Sequence, residues 1–287
     1  MPPSAGKRNI HETLPLIGEI LKRIILFGIV ISILSCNVSG NKSKQKNNDE
    51  MFGLFKKKAE KKAEKLSHAD YNIIFENQIV EDTPIELLKI GNLKVPSGKI
   101  VVCDPLVYSD TPPLSTTVKP GEYPIKIYIA KTKSSGNRYA IAKLEFSEEK
   151  AEKWVMALRD TDDINELTDD NDYFGFPVDA GLGGFYDYES GIEYLKFEKN
   201  FMNQNPDGNI YDDFFAAEFK KNAVDQDDPN DIGDWINFQI PNSELNITMF
   251  HSGYGDGLYP AYWGINKNGE IVSLVIDFLV LLLPEDE

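Results

Sequence analysis

The chain has 287 residues, 41% of them hydrophobic, with 30 Lys+Arg against 46 Asp+Glu and a formal net charge of -16. Residues 1–65 hold 13 of the bases and 6 of the acids, which leaves 17 bases against 40 acids in residues 66–287. So acidic a body repels nucleic-acid phosphates and anionic headgroups, excluding nucleic acid as a partner and favouring basic proteins, cations or plain solubility.

The first element is a bacterial lipoprotein-type signal. Lys22-Arg23 precede an apolar run from Ile24 to Leu34, and Ser35 stands before Cys36. That run is too short for a stable membrane-spanning helix but has the length of a signal-peptide apolar region. Residues 1–36 are therefore expected to be a leader, with Cys36 the lipidation site and the mature protein anchored in the cell envelope. A second start is plausible from the residues at Met51-Phe52-Gly53-Leu54-Phe55, which would make the protein cytoplasmic. Residues 37–66 are expected to form a polar tether and a short basic amphipathic helix, Phe52 to Leu66, that can lie at a membrane surface. Lipidation of Cys36 leaves Cys103 alone, so no internal disulfide is available and stability must come from packing.

Residues 67–287 hold about 220 residues, enough for one core. Short β-like runs follow one another at Tyr71–Phe75, Leu87–Val95, Lys99–Cys103, Tyr123–Lys131 and Arg138–Phe146, separated by Pro and Gly. Ser147-Glu148-Glu149 then reads as the cap of a helix carrying Ala151, Trp154, Val155 and Leu158 on one face. An acidic loop spans Asp160–Asp172, and helical periodicity returns at Ser190–Asn203 and Ile210–Ala223, with Phe214, Phe215 and Phe219 pointing inward. Strands resume at Trp235–Ile240, Asn246–His251 and Glu270–Leu283, the last apolar on both faces apart from Asp277. The expected fold is a single α+β domain on a mixed or mostly antiparallel sheet with a few packed helices.

Two glycine-rich segments, Pro177–Asp187 and His251–Gly264, carry the residues with most chemical potential. With Gly98–Leu106, Pro120–Pro124 and Val272–Phe278 in the same order, they resemble a bacterial family known as domain of unknown function 4241, over about residues 70–283. The resemblance implies no activity. Gly181, Gly183 and Gly184 can form a backbone nest for an anion, but Asp179 and Asp187 oppose a phosphate and no Gly-Lys-Ser/Thr follows. A tight turn packing a helix closely on the sheet is therefore the expected reading.

A hard cation suits Asp104, Asp179, Asp187, Asp256 and Asp277, with His251 as a nitrogen donor, whereas no zinc spacing exists. Asn203–Ile210 echoes a calcium loop but has Asn203 at its first position and Phe214 at its twelfth, so a polar turn between helices is expected. Cys103 ends an apolar strand and reads as a small buried hydrophobe. Ser252 lacks a nucleophile elbow, and His251 beside it points to the opposite face on a strand. The aromatics Tyr254, Tyr259, Tyr262 and Trp263 beside Asp256 suit a recognition surface, with core packing as the alternative.

The leading expectation is a membrane-anchored, non-catalytic binding protein of immunity type, holding a basic protein partner through Tyr254, Asp256, Tyr259, Tyr262 and Trp263 and needing no cofactor. The alternatives are a hydrolase that uses a divalent cation with Asp179, Asp187, Asp256 and His251, and a carbohydrate-binding lipoprotein.

Overall fold

The computed structural model describes residues 64–284. The leader, Cys36, the tether and all but the last three residues of the expected basic helix lie outside them. The described residues form an α+β domain of two antiparallel sheets with short helices on the outside. In chain order, helix α1 (Asn72–Glu76) precedes strands β1 (Ile79–Val80), β2 (Thr83–Val95), β3 (Ile100–Cys103), β4 (Gly121–Thr132), β5 (Gly136–Glu145), β6 (Lys153–Met156), β7 (Gly175–Val178) and β8 (Leu182–Asp187). Helix α2 (Tyr188–Gln204), a π-helical turn at Tyr211–Phe215 and helix α3 (Ala216–Lys220) follow. Strands β9 (Trp235–Gln239), β10 (Asn246–His251), β11 (Gly257–Ile265) and β12 (Ile271–Asp277) complete the domain.

The larger sheet runs β1-β2-β4-β5-β12-β11-β6, with β7 also paired to β11; the smaller runs β3-β8-β10-β9. Because successive strand residues face opposite sides, each central strand feeds two cores. Ile125 and Ile127 of β4, Leu274 and Ile276 of β12, Phe185 of β8 and Phe250 of β10 meet in the core between the sheets. Tyr128 of β4 and Val275 of β12 pack on the other side of the larger sheet, against Tyr71 and Ile74 beside and within α1. On the outside of the smaller sheet, Tyr186 and Met249 pack against Tyr194, Phe215 and Phe219 of the helical segments.

Several expected elements are present: the strands over Leu87–Val95, Lys99–Cys103, Tyr123–Lys131, Arg138–Phe146, Trp235–Ile240 and Asn246–His251, and the helices near Ser190–Asn203 and Ile210–Ala223. Three expectations are corrected. Tyr71–Phe75 is not a strand, because Asp70 Oδ1 accepts from Asn72 N (3.1 Å) and starts a helical turn that buries Tyr71 and Ile74 together. Ala151–Leu158 is not a helix: Lys153–Met156 pairs with β11 on one side, and Leu66 bridges Val155 on the other. Trp154 and Met156 then fill the outer core by alternation, a pattern that four residues share equally well with a helical face. The final strand stops at Asp277, after which Leu279 and Leu282 take left-handed backbone conformations (φ 52° and 54°) that a strand does not allow.

Of the glycines before α2, Gly183 and Gly184 lie within β8 rather than forming a loop, and Gly181 lies in the turn that precedes it. A Cβ at Gly184 would lie 2.4 Å from the Thr248 carbonyl oxygen and 2.5 Å from Pro105 Cγ, so only glycine lets β8 and β10 pair beneath Pro105. Gly184→Ala is expected to destabilise the domain by about 1–3 kcal/mol through overpacking, read as a lower urea midpoint at an unchanged slope.

Candidate functional site

The three glycine- and aspartate-bearing segments converge at one end of β8. Asp104, immediately after β3, is fully buried, and its Oδ2 accepts from the backbone N–H groups of Asp179 (3.1 Å) and Ala180 (2.7 Å). Its Oδ1 accepts from Leu106 N at 3.1 Å. The next N–H in the turn, Gly181 N, donates to Asp256 Oδ1 at 3.1 Å, with Gly181 in the left-handed region (φ 67°). The N–H groups of residues 179–181 thus face anions, but these are the chain's own carboxylates, and Gly183 and Gly184 take no part. Burial pushes the Asp104 carboxyl above the ordinary range and the nearby Asp256 charge adds to this, while the three backbone donors pull the other way.

Asp187 stands at the far end of β8, paired with Ile100, whereas His251 pairs with Leu182 at the near end. Five residues of strand separate the two ends by about 16 Å. Asp187 caps α2 by accepting from Glu189 N (2.9 Å), and its other oxygen accepts from Ser97 N (3.0 Å) and Ser97 Oγ (2.8 Å). The set Asp179, Asp187, Asp256 and His251 is thus not brought together. Among the described residues no three His, Cys, Asp or Glu side chains are grouped as a metal ion requires. In the calcium-like loop, Asp213 Oδ2 accepts from Asn209 N at 2.8 Å and Asn209 Oδ1 from Tyr211 N at 2.8 Å, the polar turn that starts the next helical segment.

The aromatic set is also divided. Residues 257–265 are strand β11, which places Tyr259, Tyr262 and Trp263 in the cores, each no more than 5% exposed. Tyr259 packs edge-on to Phe278 at 5.2 Å, Tyr262 lies 5.7 Å from Tyr71, and the buried Trp263 indole N–H has no hydrogen-bond partner. These three do not form a recognition surface: strand alternation buries both faces of β11, so substitutions there would probe stability. Only Tyr254, 58% exposed, and the exposed Asp256 and Asp179 stay at the surface.

Around Tyr254 stand residues that the sequence did not single out. The Arg138 guanidinium lies 5.4 Å from the Tyr254 ring centroid, and His251 Nδ1 lies 3.2 Å from Asp234 Oδ1. His251 N also donates to Asp234 O at 3.0 Å, tying the turn to the acidic loop that precedes β9. On the other side, Tyr173 OH, just after the acidic loop 160–172, donates to Leu258 O near the start of β11 at 3.2 Å. Arg138 and Asp234 carry no local motif, since their importance comes from pairing across 116 and 17 residues of chain to Tyr254 and His251. Cys103 is buried, its thiol pushed up to about 12 by burial, and it is inert as a nucleophile.

The family model described as protein of unknown function (DUF4241) matches residues 93–276, from within β2 to the penultimate residue of β12, and so takes in every segment of this site. The chain belongs to the DUF4241 family. No curated protein and no solved structure matches it.

One more acid of the DUF4241 domain lies outside the convergence. Asp277 at the end of β12 is buried, accepts from Tyr71 OH (2.8 Å) and Leu279 N (2.8 Å), and burial pushes its carboxyl up to about 6. A folded value above the unfolded one means that folding favours the protonated acid. The stability tied to this group is fully present below about pH 4 and is lost as pH rises through 6. Asp277→Asn, neutral throughout, is expected to abolish a pH-dependent difference on the order of 3 kcal/mol between pH 4 and pH 7, checked by urea unfolding of both proteins at each pH.

Proposed function

We propose that this protein is a non-catalytic binding protein of immunity type, held at the cell envelope by a lipid on Cys36, whose acidic domain occupies a basic protein partner. The observation that carries the reading is the exposed Tyr254 turn, whose flanking strand residues are hydrogen-bonded at its base to the ends of two acidic loops, His251 to Asp234 and Leu258 to Tyr173, which follows residue 172. Residues 160–172 contain seven acids and residues 225–234 five, with no Lys or Arg in either. Their own carboxylates hold the loops in shape: Asp172 Oδ2 accepts from Thr168 N and Asp169 N, both at 2.8 Å, and Asp231 Oδ2 from Asp225 N at 2.9 Å. Loops already ordered lose less entropy when a partner docks. An exposed tyrosine offers contact area with two rotatable bonds, and flanking acids steer a basic surface onto it.

The partner surface comprises Tyr254, Asp256 and Asp179 with Asp234 and the two loops. Asp256 also holds Gly181 N, so the cleaner surface probes are Tyr254 and Asp179. Affinity capture from cells that make the protein is expected to retain a basic protein at low salt and release it at high salt. Tyr254→Ala and Asp179→Lys, with unfolding midpoints near wild type, are each expected to weaken that capture about tenfold or more. The same retention by wild type and both variants would sink the proposal. For the anchor, intact mass of the native protein is expected to show a chain beginning at a lipidated Cys36; an unmodified Met51 start would instead place the protein and its partner in the cytoplasm.

A further inference from the structure

A cavity of about 360 Å3 lies at the β6 end of the larger sheet, away from the Tyr254 turn. Its floor follows from the register. Val155 sits directly opposite Trp263, and Ile265 opposite both Lys153 and Ile271, so these five side chains share one face of the sheet. Trp263, Ile265 and Ile271 identify that face as the inner one. The smaller sheet ends at β3, and the segment 112–118 roofs this end instead. Leu114 N donates to Ile100 O and Ser115 N to Leu158 O, both at 2.8 Å, and Thr117 bridges Lys99. A strap in place of a strand leaves Val155, Leu158, Ile265 and Ile271 half-exposed around open space, with the buried Trp263 beneath them.

The polar groups at the cavity are few and of particular kinds. Ser115 and Thr116 bring hydroxyls from the strap, Lys153 an ammonium, and Glu64 a carboxylate that is ion-paired with Lys153. Although acids outnumber bases 40 to 17 over residues 66–287, the cavity carries no net negative charge, its one acid being balanced by one base. The pair is half-exposed, with side-chain exposures of 39% and 40%, and such pairs contribute about 0–1 kcal/mol. Another carboxylate can therefore replace Glu64 on Lys153 at small cost, while its apolar body covers the floor. The volume falls within the range of small-molecule sites, as does the combination of an apolar lining with a few convergent polar groups.

We infer that this cavity is a binding site for a small apolar carboxylate, its ring or chain laid on Val155, Leu158, Ile265 and Ile271 and its carboxylate received by Lys153 and the strap hydroxyls. The inference is independent of the partner surface at Tyr254. It is tested by calorimetric titration of the full chain with 2-naphthoate, beside the neutral 2-naphthalenemethanol. Saturable binding of the carboxylate is expected, weakened about tenfold in the alcohol and in Lys153→Ala, the loss of one charge-assisted contact. Thr116→Trp, which fills the cavity from the strap, is expected to abolish binding, with an unfolding midpoint confirming that the fold persists. Absence of heat with 2-naphthoate, or binding unchanged in Thr116→Trp, would overturn the site. Equal affinity for acid and alcohol, or no effect of Lys153→Ala, would overturn the assignment of a carboxylate.

Discussion

The constraint on which the domain depends is that both sheets are covered on both faces. Three cores in series, one between the sheets and one on the outer face of each, require the central strands to be apolar at nearly every position. Strand β3 is buried at all four residues, β8 at all six and β12 at six of seven. Each strand is thereby fixed in register, because a slip of one residue would exchange two different sets of packed neighbours rather than trade core for solvent.

That demand also decides where charge can go. An acid carried into the layers must be satisfied there, and each of those present is. Asp104 takes three backbone donors and Asp187 caps α2 while holding Ser97. Glu145 is half enclosed by Lys126 and Lys143, which hold its carboxyl below the usual range against the opposing effect of burial. Asp277 meets a tyrosine hydroxyl and leans toward its neutral form. The remaining acids lie on exposed strand and helix positions or in the connections, and two acidic connections end beside the strands that flank the exposed Tyr254 turn. An acidic surface is thus the counterpart of a doubly covered sheet, with the same residues that order the loops supplying their charge.

Elements were legible where local pattern and tertiary role agree. Short, mostly apolar runs such as Ile100–Cys103 and Val272–Ile276 suit central strands at that length, and Phe214, Phe215 and Phe219 mark a helical face whichever helix type the backbone adopts. Legibility failed where short segments satisfy two periods at once. Ala151, Trp154, Val155 and Leu158 suit a helical stripe, yet the unpaired edge of β11 claims Lys153–Met156 as a strand. Glycine misled for a related reason. In β8 it marks the close approach of Thr248 and Pro105, and around β11 it surrounds a strand whose aromatics are core, although the composition alone suits an exposed loop.

The sequence by itself determined the family, the α+β class, the acidic surplus of the domain, its lack of a second cysteine and the helix that follows Asp187, because these depend on composition or on residues close along the chain. Only the tertiary structure decided which carboxylates meet. Asp104 and Asp256 share one run of backbone donors although 152 positions separate them, while Asp187, within a few residues of that run, is carried to the other end of a strand. It also left Tyr254 at the surface while burying Tyr259, five residues on. Pairing between distant strands sets these distances and exposures, and the residues themselves, read in order, contain neither.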